Sequence, residues 1–156
     1  MADPRILLVG EVNPLSLHPK FALWPDPPNS SGARLQRIFG LHRETYLSCF
    51  ERQNLCRGAW STVEARRQAA LIVANPPDVL VSLGLRVAQA LGFPDTLFTT
   101  RMMTLGGYLI RLPHPSGRCR IWNESGVIAA TRRLMEQYAP HVPWGEVGDM
   151  IEKAAE

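Results

Sequence analysis

Three short apolar runs constrain the fold of this 156-residue chain more than any other feature. Residues 5–10 read Arg-Ile-Leu-Leu-Val-Gly, residues 78–83 Asp-Val-Leu-Val-Ser-Leu and residues 108–113 Tyr-Leu-Ile-Arg-Leu-Pro. A strand with one face in water alternates apolar and polar residues, whereas a near-continuous apolar run belongs to a parallel strand covered on both faces. Gly10 and Gly84 punctuate the first two runs, and His114-Pro115-Ser116-Gly117 follows the third. Helical patterns lie between them. One starts near Ser31, runs through Leu35 and Ile38 to Gly40, and has Ser30 or Ser31 as its cap. A second covers about 43–48. Ser61, with Glu64 three residues on, opens a helix to about Ala74. Others are expected from Leu85 to Leu91, from about 124 to 138 with Asn123 as cap, and over roughly 144–155. Residues 49–56 hold a further short strand. Strands alternating with helices predict an α/β fold with a parallel sheet, in one domain spanning 1–156.

Hydrophobic residues make up 46% of the chain and charged residues 20%, the balance of a packed domain and not of a disordered tail. No apolar run approaches the roughly 18 residues of a membrane span. Met1-Ala2-Asp3-Pro4 carries no basic segment, so no signal peptide is expected. Cys49, Cys56 and Cys119 form no C-x-x-C pair, which argues against zinc or a disulfide framework and for a reducing, cytoplasmic setting. Lysine plus arginine number 17 against 14 acids, a formal charge of +3, and only Lys20 and Lys153 are lysines. Arginine forks suit phosphate, but GC-rich coding gives the same bias, so composition alone does not specify nucleic acid.

In parallel sheets, ligands bind beyond the carboxyl ends of the strands. There this sequence places Glu11-Val12-Asn13-Pro14, Asn54 and His114-Pro115-Ser116. Residues 12–32 follow the first strand as a long loop with five prolines, a length that in compact domains usually carries function or disorder. Singly, these residues have ordinary uses: a solvated loop carboxylate, a turn, a strand cap. Together they make a site for splitting water, in which Glu11 or Asn13 orients water, His114 donates to a leaving anion and Asn54 reads a planar ligand.

Gly10-Glu11-Val12-Asn13-Pro14 resembles the first motif of the uracil-DNA glycosylase superfamily, whose branches carry Gly-Gln-Asp-Pro-Tyr, Gly-Ile-Asn-Pro-Gly or Gly-Glu-Ala-Pro-Gly. His114-Pro115-Ser116-Gly117 before Arg118 is similar to the second motif. Ser31-Gly32-Ala33-Arg34-Leu35, Asn54-Leu55-Cys56 and the Val79–Gly84 strand with its Ala88 helix resemble segments of the iron–sulfur branch, in the same order. The resemblance covers about residues 5–138. It implies a three-layer α/β sandwich around a central, mainly parallel four-stranded sheet, and DNA as partner. It also implies base flipping, with Asn54 reading the base, Phe21 or Trp24 stacking on it and Leu15 beside it. The loop bearing Ser116, Gly117, Arg118 and Arg120 would contact the backbone, with Arg34 reaching a further phosphate. Ile121-Trp122 alternatively serves as packing under that loop. The chain departs from the iron–sulfur branch in having three cysteines and none near its N-terminus, so no cluster is expected. The first motif is a hybrid that leaves Glu11 and Asn13 both open as the reacting group.

The expectation is a monofunctional DNA glycosylase, without cofactor or metal, acting as a monomer. A strand-cutting glycosylase needs an amine, and Lys20 is the only lysine near the expected pocket. The tyrosine that follows Asp-Pro in the strict uracil branch is replaced here by Leu15-Ser16. The base is therefore uracil or a mismatched pyrimidine, as in repair, or a 5-modified cytosine of phage DNA, hydroxymethylated or glucosylated, as in antiviral defence. The alternative is a catalytically inactive DNA-binding or damage-sensing module of the same fold. A Ser116 hydrolase lacks G-x-S-x-G, and a zinc deaminase lacks its H-x-E and P-C-x-x-C pattern.

Overall fold

The structure, a computed structural model, describes residues 2–13, 16–94 and 96–147. Among them, strands β1 (Ile6–Gly10), β2 (Glu51–Asn54), β3 (Val79–Leu83), β4 (Thr100–Met102) and β5 (Tyr108–Leu112) form one sheet in the order β2-β1-β3-β5-β4. All neighbours pair parallel except β4 with β5. The helices are α1 (Ser31–Phe39), α2 (Arg43–Cys49), α3 (Thr62–Ala74), α4 (Leu85–Leu91) and α5 (Val127–Tyr138).

Alternation along the buried strands builds two cores. Ile6, Leu8, Val79, Val81, Leu83, Ile110 and Leu112 face Leu35, Phe39, Tyr46 and Met135 of α1, α2 and α5. Leu7, Val9, Leu80 and Leu109 face Ala65, Ala69, Ile72, Val87 and Leu91 of α3 and α4. The result is helix, sheet, helix: the three-layer α/β sandwich expected, with five strands in place of four. The extra strand, β4, is three residues long with Arg101 and Met102 exposed, so its sequence carries no buried pattern.

Local chemistry fixes several helix ends. The Ser30 hydroxyl accepts from the Ala33 N–H at 3.1 Å, and Gly40 closes α1 in a left-handed conformation. The Ser61 hydroxyl accepts from the Glu64 N–H at 3.3 Å to start α3. Asn123 is not the cap of α5. It ends a 3-10 turn (Arg120–Asn123), and Gly126, at φ 81°, precedes the helix, which begins three residues later than expected. Trp144–Val147 lie in turns, and the rest of the expected helix over 144–155 lies outside the described residues.

The connections set the site. The chain leaves β1 toward the α1–α2 face and leaves β3 toward the α3–α4 face. Adjacent strands whose connections diverge in this way open a crevice at their carboxyl ends, the usual ligand position in such sheets.

Candidate functional site

Glu11 follows β1, Gly84 follows β3 and His114 stands two residues past β5, all at that crevice. Gly84 has φ 95° and ψ 164°, a conformation open essentially only to glycine. A methyl group added there would lie 3.3 Å from Cδ2 of His114 and 3.5 Å from Oε1 of Glu11. The carboxylate and the imidazole thus flank one point, which its backbone conformation reserves for glycine.

The imidazole is held as a donor. Nδ1 of His114 accepts from the Ser116 N–H at 3.1 Å, so a neutral ring carries its proton on Nε2. Burial pushes the His114 pKa below its ordinary value, with the Glu11 charge opposing the shift, so the ring is neutral at neutral pH. The loop around it is braced from two sides. The indole Nε1 of buried Trp122 donates to the His114 carbonyl at 3.0 Å, and Nε of Arg34 donates to the Pro115 carbonyl at 2.9 Å. Trp122 therefore packs under the loop, and Arg34 ties α1 to it. Arg118 and Arg120 are exposed and make no ion pair or hydrogen bond among the described residues; Gly117 is exposed and Ser116 half-buried.

On the α1–α2 side of β1 lies a cavity of about 620 Å³, whose walls include Asn13, Phe21, Trp24 and Asn54. A second, of about 290 Å³, shares Asn13, Ser16 and Asn54 with it and adds His18, Arg52 and Gln53. Glu11 and His114 line neither, so the structure groups the expected residues in two adjoining sets. Leu15 lies outside the described residues. Asn54 pairs in register with Gly10, and a side chain on Gly10 would meet Oδ1 of Asn54 at 2.6 Å. That oxygen is buried and has no donor among the described residues, an arrangement that costs on the order of 1–3 kcal/mol. Nδ2 of Asn13 donates to the Phe21 carbonyl at 2.9 Å, which ties the residue to the loop.

From residue 16 to residue 32 the proline-rich loop forms a wall held by distant parts of the chain. The buried Tyr46 hydroxyl donates to the Leu23 carbonyl at 2.7 Å, and Nε of Arg52 donates to Ala22 at 3.3 Å. The Arg52 and Arg43 guanidinium groups stand 5.5 and 5.4 Å from the Trp24 ring centre, and Phe21 meets Trp24 edge to face. Gly32 lets α1 press against the Leu23–Trp24 backbone. Leu23 itself is left-handed at φ 50°. Tyr46 and Arg52 carry no signal of their own that singles them out in the sequence, and Gly84 stands out there only as the end of a strand. Arg52 was the most findable, being two residues before Asn54 and so on the same face of β2.

Among the described residues no group of three or more His, Cys, Asp or Glu could hold a metal, and the three cysteines are free thiols. No helix among them is long and apolar enough to cross a membrane. Models of known protein families and curated proteins give no match to this chain.

Proposed function

We propose that the protein is a monofunctional DNA glycosylase of the uracil-DNA glycosylase type, which flips a pyrimidine nucleotide out of DNA and hydrolyses its N-glycosidic bond. One observation carries this reading: a carboxylate and a neutral, Nε2–H-bearing imidazole flank Gly84 at the crevice between β1 and β3. Breaking the bond puts positive charge on the sugar and negative charge on the base. Glu11 stabilises the first and orients water, and Nε2–H of His114 donates to the base carbonyl oxygen as the second develops. Water adds its oxygen to C1′ and gives up a proton, the bonding pair leaves with the base, and the base is protonated. Asn13, tied to the Phe21 carbonyl, shapes the cavity.

The cavity beside this pair receives the base. The unpaired Asn54 oxygen gains a donor when its amide rotates toward a base N–H, which converts that cost into recognition. Phe21 and Trp24 supply aromatic surface for stacking. A volume of about 620 Å³ falls in the ~300–1,000 Å³ range of pockets for drug-sized molecules, more than a bare pyrimidine fills. That leaves room for a base with a bulky 5-substituent, such as the hydroxymethylated or glucosylated cytosine of phage DNA, which is the substrate of antiviral defence. The exposed Arg118 and Arg120, with Ser116 and Gly117, contact the DNA backbone. Lys20 is exposed, its ammonium 4.9 Å from the Phe21 ring centre, and takes no covalent part.

The test is to incubate the protein with uracil-containing DNA and with phage DNA bearing modified cytosine, then to heat in alkali. Breakage at the modified cytosines is expected, and borohydride added during the reaction should trap no protein–DNA adduct. His114→Ala should lose at least ~10²-fold in rate, the scale of one lost oxyanion donor, while still binding DNA. Intact strands on both substrates would overturn the proposal.

A further inference from the structure

A groove of about 410 Å³ lies between α3 and α4, lined by Trp60, Thr62, Arg66, Arg86, Gln89 and Ala90. None of the residues above uses it. Thr62 and Arg66 are four apart on α3, and Arg86, Gln89 and Ala90 share one face of α4, so the two helices turn donors toward each other. The Arg86 guanidinium stands 5.5 Å from the Trp60 ring centre, which holds an exposed arginine in place. The lining carries two positive charges and no carboxylate. Glu64, the acid in the first turn of α3, instead lines the neighbouring polar cavity and accepts from the Arg57 N–H at 3.3 Å.

Position decides what this charge is for. Trp60 belongs to the connection that follows β2, and Arg86 stands three residues past the end of β3. Both lie at the carboxyl edge of the sheet, as the Arg118–Arg120 loop does beyond β5. With strands about 4.8 Å apart, β5 to β2 spans ~14 Å. At ~3.4 Å of rise per nucleotide, that is about four steps of one DNA strand.

We infer that Arg66 and Arg86, with Thr62 and Gln89, form a phosphate-binding groove that holds the DNA strand on the side of the flipped nucleotide opposite Arg118 and Arg120. The inference builds on the proposal that DNA crosses this edge, but it concerns backbone contacts alone. Each guanidinium engages a phosphate and releases counterions, and Arg86 keeps its place over Trp60 as it does so.

The test is fluorescence anisotropy of the full chain with a duplex carrying one abasic-site analogue, over a series of salt concentrations. The double variant R66Q/R86Q should bind at least tenfold more weakly at low salt. Its log Kd against log salt should flatten by about two units, one per lost phosphate contact. R66K/R86K should keep the slope, which separates charge from packing, and R133Q on α5 should match the parent. An unchanged affinity and slope in R66Q/R86Q overturns the groove, as does binding to phosphatidylserine vesicles that depends on these arginines while DNA binding does not. Failure of the glycosylase proposal reads differently: the parent protein then excises no base, whatever the salt slope of its DNA binding.

Discussion

The site turns on one residue without a side chain. Gly84 adopts a backbone conformation that costs other residues on the order of 1–3 kcal/mol, and its bare Cα is the floor between Glu11 and His114. Gly84→Ala should therefore lower unfolding free energy by about that amount in urea titration. It should also reduce excision more than the lost stability explains, because the new methyl crowds the His114 ring, which must shift by a few tenths of an ångström. Glu11→Gln probes the same pair differently. Burial lowers the His114 pKa and the Glu11 charge raises it, so removing that charge should lower it further. Following the His114 ring protons by NMR across acidic pH should show the titration moving to lower pH in the variant. Movement to higher pH, or none, would mean that the carboxylate does not face the ring.

At the scale of elements, the proline-rich loop owes its shape to contacts from distant parts of the chain. Tyr46 of α2 is fully buried, its pKa driven up by that burial, and its hydroxyl serves the Leu23 carbonyl. Tyr46→Phe leaves that acceptor unpaired and should destabilise the fold by about 1–3 kcal/mol. Proteolysis within 16–32 should become faster, while the helices keep their circular dichroism. This loop also marks the limit of what the sequence discloses. The α1 cap, its closing glycine and the three apolar strands are written in adjacent residues and can be read from them. Glu11, Asn54 and His114 can be placed at one edge because parallel strands share a direction. The bond from Tyr46 to Leu23, the stacking of Arg52 near Trp24 and the late start of α5 depend on tertiary partners or on a glycine conformation that no local pattern announces. The edge strand β4 is hidden for the opposite reason, since it buries too little to leave a pattern.

For the molecule as a whole, the function proposed for His114 sets a condition on stability. The folded state depresses the His114 pKa, so the unfolded chain binds that proton first as pH falls. Stability from this residue is complete above the unfolded value of about 6.5 and is lost progressively as pH drops from there toward the lower folded value. The same neutral ring is the form that donates through Nε2 without carrying charge into the site. Stability should thus begin to fall near the unfolded value, and activity only as the pH passes the lower folded value, both through one proton. His114→Gln keeps a polar side chain but cannot titrate. In urea unfolding the parent should lose more stability than this variant between pH 7.5 and pH 5, and the two curves should run parallel above pH 7. The other histidines are present in both proteins and cancel in the difference. A variant as acid-sensitive as the parent would mean that His114 is not held neutral by the fold, and the imidazole would then enter the reaction already charged.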